Sequence, residues 1–259
     1  MAKPSITRKA GRHFLTDRIR DEVDWWNTPQ AQGSAPPPIQ KPIPEGAESI
    51  PLPGREEWRI PSCDLTEAIA RRESRRRFLP LPLRLDELAF LLWSTQGVRA
   101  RVHEAAVLRT VPSASCRHPF ESYLAVQRVE TLAPGLYRYL PLDHALLPEQ
   151  TPDRLEDRLA AACRGQRFAA EAAVTFLWTA VAARTEWRYA EASYKVIALD
   201  AGHLCQNLYL ACEAIEAGTC AIAAYDQERA DELLGVDGEE EFTIYISPVG
   251  KVGLRQGGP

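Results

Sequence analysis

Apolar residues return at steps of three and four at Leu65, Ala68 and Ile69, and again at Leu85, Leu88, Leu91 and Leu92. That spacing predicts two helices, each with one buried face. Asp64, three residues ahead of Glu67, has capping-box spacing and starts the first; Asp86 also reads as a cap, and Gly97 ends the second. Residues 120–129 (FESYLAVQRV) and 135–140 (GLYRYL) read as strands joined across Pro134-Gly135. Thr151-Pro152 then opens a helix carrying Leu155 and Leu159, which ends at Gly165. Residues 172–183 (AAVTFLWTAVAA) are nearly all apolar, as a central strand covered on both faces would be. A long helix over about 191–217 follows, with Ile197, Ala201, Leu204, Leu208, Ala211 and Ile215 at helical spacing. It carries little charge, which predicts a core helix with several neighbours and an interface around Leu204 and Leu208. A strand at 219–224, a helix from Asp226 to Leu234 stopped by Gly235, and a strand at 241–247 complete the pattern. Strands and helices mix without regular alternation, so the expected class is α+β.

Ahead of this pattern lies a segment of another kind. Residues 28–54 hold Pro36, Pro37, Pro38, Pro42, Pro44, Pro51 and Pro53 with almost no apolar periodicity, and read as extended chain. The expected division is an extended arm over 1–60 and a folded domain over 61–259. Trp25 and Trp26 stand side by side in the arm. Two adjacent exposed tryptophans are unusual, so the arm is expected to lie against the body or a partner subunit.

Composition narrows the function classes. Among 259 residues the formal net charge is only −4, so nothing favours nucleic acid as a partner. The start, MAKPSITRKAGRHF, has no apolar run of a secretory signal, and no stretch is long enough to span a membrane. A cytoplasmic protein with reduced thiols is expected. None of the six cysteines forms a CxxC pair and no histidine stands at metal-ligand spacing to His203, so no metal site is expected. His203 reads as a core histidine, and Cys205 with Cys212 as packing on one helix face. No glycine-rich dinucleotide or phosphate loop and no GxSxG elbow is present.

Three stretches could carry chemistry. RRESRRRF (Arg71–Phe78) puts five arginines in seven positions at a helix end, beside a serine. Guanidinium forks with a hydroxyl suit a phosphate; a solvated helix end whose arginines offset the helix dipole is the other reading. RTVPSASCRHPFE (Arg109–Glu121) follows Pro112 with the small Ser113, Ala114 and Ser115, which let a flat ligand or a partner backbone approach, or make a plain loop into a strand. WRYAEASYKVIALDAGHLCQN (Trp187–Asn207) places polar side chains at the start of and inside an apolar helix, where they serve a site or structural hydrogen bonds.

In order, RRESRRRF, LRLDELAFLLWSTQGVR, RTVPSASCRHPFESYLAV, PGLYRYLPLDHAL, WRYAEASYKVIALDAGHLCQNLYLA, LLGVDGEEEF and PVGK resemble the SagB-type (azoline-oxidase-like) dehydrogenases of the nitroreductase superfamily, over about residues 60–252. GRHFLTDRI, KPIP and IPLP in the arm resemble the leader of stand-alone members. The resemblance implies a nitroreductase-like α+β fold: a central, mostly antiparallel sheet flanked by helices, in an intertwined homodimer with two FMN sites at the subunit interface. By position, Arg72, Ser74 and Arg76 would hold the FMN phosphate and ribityl chain, with Lys251 a late phosphate contact. Ser113, Ala114 and Ser115 would line the isoalloxazine from the other subunit, and the backbone of Ala221, Ile222 and Ala223 would approach the ring. NAD(P)H is the implied donor, with a small electron-poor molecule or an azoline-bearing peptide as substrate.

The chain departs from that pattern at three places. Arg188-Tyr189 stands where azoline-forming members carry Lys-Tyr, PSASC replaces the more usual PSAGA, and Ala224 replaces a later glycine. Arginine stays charged and cannot act as a base, so Arg188 is expected to hold an anionic group and Tyr189 to orient the substrate. A flavoprotein-derived module that binds a peptide or a partner enzyme without turnover is the competing expectation.

Overall fold

A computed structural model describes residues 8–103 and 105–253; the first seven residues of the start discussed above lie outside them. The arm contributes α1 (Arg8–Leu15), α2 (Ile19–Glu22) and β1 (Ile50–Pro51). Next come α3 (Leu65–Arg71), α4 (Leu85–Gln96), a hairpin of β2 (Val98–His103) and β3 (Ala106–Arg109), then β4 (Phe120–Val126), β5 (Gly135–Leu140) and β6 (Ala145–Pro148). The chain continues through α5 (Leu155–Ala162), α6 (Phe168–Glu171), β7 (Val174–Val181), α7 (Ala183–Tyr189), α8 (Ser193–Ala214), β8 (Ala217–Thr219), α9 (Gln227–Leu234) and β9 (Glu241–Lys251). Seven strands form one sheet in the order β1-β6-β5-β4-β7-β9-β8, antiparallel throughout.

The centre of that sheet explains the apolar run at 172–183. Successive residues of a strand face opposite sides. Val174, Phe176, Trp178 and Ala180 of β7 pack with Leu88, Leu92, Leu204 and Leu208, so one face is covered by α4 and α8. Leu177 faces the other way and packs with Leu159, Ala169 and Leu233 of α5, α6 and α9. Both faces are dry, and the alternation expected of a half-exposed strand disappears.

Capping sets several boundaries. The Asp64 carboxylate accepts the Glu67 N–H at 3.1 Å and starts α3. Asp226 accepts the Arg229 N–H at 3.2 Å and starts α9, which ends at Gly235 with φ +66°, a left-handed position. Asp86 is not a cap: Arg84 holds that position, and the Asp86 carboxylate accepts from Arg84 Nε and the Arg59 N–H at 2.9 Å each. The Thr151 hydroxyl does not start α5. It accepts the Leu136 N–H at 2.8 Å, and the helix begins at Leu155.

Other expectations shift. The helix expected over 191–217 is α8, Ser193–Ala214, and a separate short helix, α7, precedes it and ends at Tyr189. The strand expected over 219–224 is β8, which ends at Thr219. Beyond it the Ala221 N–H is taken by the Tyr209 hydroxyl at 2.9 Å, and only Ile222 bridges back to Ile246. The first strand stops at Val126, and β9 runs on to Lys251. Leu204 and Leu208 lie wholly within the chain's own core, so they cannot form a subunit interface, while Leu199 and Tyr194 on the same helix are 56% and 45% exposed. His203 is exposed, not a core residue. Cys205 and Cys212 are buried, and burial pushes the Cys205 thiol up to about 12, as inert packing requires.

The proline-rich segment is wired into the body. Prolines lack N–H donors but keep their carbonyls, and buried arginines answer these. Arg184 Nε donates to the Pro38 carbonyl at 2.8 Å, Arg109 Nη2 to Ile39 at 2.9 Å, and Arg138 to Lys41 and Pro42 at 3.0 and 2.9 Å. The buried Glu121 carboxylate accepts from Arg184 and from the Lys41 N–H. Trp26, by contrast, is 85% exposed.

Candidate cofactor and substrate site

The arginine-rich segment leaves α3 at Arg72 and runs extended along β8. Ser74 bridges Thr219, the Arg75 N–H donates to the Thr219 carbonyl at 2.8 Å, and the Leu79 N–H donates to the Lys251 carbonyl at 2.8 Å. Arg75 lies on the bare backbone of Gly218, where any side chain would collide with it. Extended chain alternates, so Ser74 and Arg76 face away from that contact and are exposed. Arg75 pairs with Glu73 at 2.8 Å, whereas Arg76 makes no ion pair among the described residues. Arg72 lies 5.5 Å from the ring centroid of Tyr209. Arg72, Ser74 and Arg76 offer donors on a rigid edge, which fits an anionic phosphate, while the Glu73 carboxylate is engaged by Arg75.

Tyr209 of α8 is the hub of this cluster, and the sequence reading passed over it. Its hydroxyl lies 3.0 Å from Ser74 Oγ and accepts the Ala221 N–H. The arginine segment and the stretch of Ala221, Ile222 and Ala223 therefore meet at one side chain. Ala223 is exposed, and its N–H is not taken up among the described residues. Lys251 stands behind the segment. Its ammonium is held by Glu87 and the Ile215 carbonyl, each at 2.7 Å, and its carbonyl anchors Leu79.

A second cluster hangs from α8 at Asp200. Its carboxylate accepts the Ser113 hydroxyl at 2.6 Å and the Ala114 N–H at 3.2 Å. Burial pushes the Asp200 carboxyl up, against the pull of those two donors. Ser115 and Cys116 take φ of 50° and 55°, so the loop doubles back after Ala114. Ser115 Oγ lies 2.7 Å from the Tyr189 hydroxyl, which joins the loop to the Arg188-Tyr189 pair at the end of α7. Arg188 Nη1 donates to Gln30 Oε1 of the arm at 2.9 Å. The arm reaches this pair again through Arg20, 5.7 Å from the Tyr189 ring centroid.

The two clusters do not meet within one chain. Asp200 and Tyr209 are nine positions apart on α8, which at 3.6 residues per turn is about two and a half turns. They leave opposite sides of the helix.

A mainly antiparallel sheet flanked by helices, with an arginine-serine segment on its edge and a small-residue loop fixed by the long helix, defines the class. The chain matches the model of the nitroreductase family over residues 69–251 and belongs to that family, a class of oxidoreductases. A protein of Methanocaldococcus jannaschii named as a nitroreductase is 29% identical over 202 residues, 78% of this chain and 96% of its own length. A nitroreductase-type structure from Anabaena variabilis is 27% identical with a TM-score of 0.63; the match covers 73% of this chain but 38% of that larger one. A chain of the E. coli microcin synthetase McbBCD complex, solved with truncated pro-MccB17 bound, shares the fold over 97% of this chain and all of its own, at 17% identity and a TM-score of 0.58.

Proposed function

We propose that the protein is an FMN-dependent oxidoreductase of the SagB-type branch, acting as a homodimer whose flavin sites lie between subunits. The observation that carries this reading is the pair of half-sites on opposite sides of α8. Each offers donors suited to one part of a flavin, and neither is complete alone. In this reading Arg72, Ser74 and Arg76 bind the phosphate and ribityl chain, with Tyr209 holding Ser74 in place. The backbone of Ala221, Ile222 and Ala223 borders the ring, and Lys251 steadies the segment through its carbonyl. The partner subunit brings its own copy of the 113–115 loop, held by Asp200, over the ring.

Bound FMN supplies two-electron transfer through its N5. The rest belongs to the chain. The arginines neutralise the phosphate, the small Ser113–Ser115 loop leaves room for a flat group, and Tyr189 offers a hydroxyl that donates or relays a proton. Arg188 carries a fixed charge and no base function at neutral pH. NAD(P)H is the donor in this reading, and the acceptor is a small molecule or an azoline-bearing peptide. The described part of the arm, residues 8–60, is then a wrap that covers the substrate side through Gln30 and Arg20.

The test is colour. Purified protein shows flavin absorbance that bleaches on NAD(P)H. Colourless protein that refuses FMN overturns the reading in favour of a binding module without turnover.

A further inference from the structure

The contacts around Tyr189 bring in an arginine that no motif pointed to. Arg117 lies two residues past Ser115. Its Nε donates to the Ser115 carbonyl at 3.3 Å and its Nη2 to the Ala105 carbonyl at 3.2 Å. Its guanidinium sits over the Trp187 ring, 4.9 Å from the centroid. Arg188, the next residue after Trp187, lies 5.8 Å from the Tyr189 ring centroid and donates to the Gln30 side-chain amide. Among the described residues, every hydrogen-bond acceptor these two guanidiniums reach is neutral. The nearby Arg20 differs, since Asp17 pairs with it at 3.1 Å.

Two cations with no acidic partner among the described residues are costly, the more so because Arg117 is only 7% exposed. Burial lowers the Arg117 pKa and the charge of Arg188 lowers it further, with Cys116 and Tyr189 opposing. Charges held against neutral acceptors favour an anion supplied from outside. Both guanidiniums lie against aromatic rings, and Arg117 Nη1 and Arg188 Nη2 make no hydrogen bond among the described residues, which leaves those in-plane N–H groups for a ligand. That is the presentation a planar carboxylate matches in fork-to-fork pairing.

We propose that Arg117 and Arg188 form an anion subsite beside the 113–115 loop, and that it takes a carboxylate of the substrate. The proposal deepens the reading above, resting on that loop bordering the flavin. It makes this protein selective for acids over their neutral analogues.

The test compares 4-nitrobenzoate with 4-nitrobenzamide, with NADH as donor. The parent protein turns over the acid with at least about tenfold higher kcat/KM, and Arg188→Gln and Arg117→Gln each erase most of that ratio, chiefly through KM, as loss of one charge-assisted pair predicts. Arg188 is exposed, so Arg188→Gln keeps the test open if Arg117→Gln fails to fold. Equal use of acid and amide by the parent overturns the proposal. So does a result in which the variants lose the preference for NADPH over NADH but keep that for the acid, which assigns the charges to a donor phosphate. Calorimetric titration with benzoate separates this from the flavin reading. No benzoate binding by protein that holds FMN and is reduced by NADH overturns the subsite alone. Benzoate binding by protein that refuses FMN supports the subsite and overturns the flavin reading.

Discussion

Ser115 holds φ 50° and ψ 30°, a left-handed conformation, where the sequences this chain resembles carry glycine in PSAGA. For a residue with a Cβ that conformation costs roughly 1–2 kcal/mol. The hydroxyl bond to Tyr189 offsets about 1 kcal/mol of it. Replacing the glycine thus trades backbone ease for a side-chain link between the loop and α7. At the same scale, Arg76 is an exposed guanidinium without an ion pair among the described residues, so little but a ligand depends on it. Arg76→Ala is expected to weaken FMN binding by about tenfold or more, since charge-assisted bonds contribute about 1.5–3 kcal/mol each. Fluorescence titration with FMN measures this, and unchanged affinity removes the phosphate assignment. The gathering of arginines beside Ser74 could be read from the letters. That Arg75 faces inward and Arg76 outward could not, because Gly218, more than a hundred residues away, decides it.

Among the elements, the arm behaves least as its composition suggests. Its many prolines predict loose extended chain, and the chain is extended, but its carbonyls dock on Arg109, Arg138 and Arg184 and its residues Ile50–Pro51 pair with β6. Those three arginines lie in segments read as strands or loops, and nothing in their spacing marks them as partners of residues about a hundred positions earlier. Arg184→Ala leaves the buried Glu121 carboxylate with one donor fewer and frees the Pro38 carbonyl. It is expected to cost about 3–5 kcal/mol. Urea unfolding gives that number, and limited proteolysis should cut first within 28–45. A loss below about 1 kcal/mol with the arm still protected means that the clamp contributes nothing the prolines do not.

For the whole molecule, the proposed shared flavin site requires two copies to complete each other, one half-site from each side of α8. Leu199 and Tyr194 leave apolar positions of that helix exposed in the single chain, as do Leu65 and Ile69 of α3. Interfaces of obligate dimers are apolar and large. Light scattering at micromolar concentration is expected to give the mass of a dimer. Leu199→Asp is expected to shift it toward monomer and to release FMN at the same time, because each site loses its second half. A monomer that keeps FMN overturns the shared-site arrangement.

Local pattern found α3, α4, α5, α8 and α9 and the strands β4, β5, β7 and β9, that β7 is covered on both faces, and that guanidiniums gather beside a serine. These follow from periodicity, capping and composition, which act over a few residues. The boundaries that failed did so where a distant partner competed for a backbone group, as Tyr209 does for the Ala221 N–H. Tyr209 gave no signal of function, and Asp200 and Arg117 stood in stretches marked for chemistry without a role of their own, since a lone carboxylate, phenol or guanidinium is ordinary until its neighbours are known. The tertiary structure alone decided that Asp200 grips the small-residue loop, that Tyr209 ties the arginine segment to Ala221, and that these two clusters leave opposite sides of one helix. The reason is physical: a helix sets the angle between its side chains, but only packing brings other segments to them.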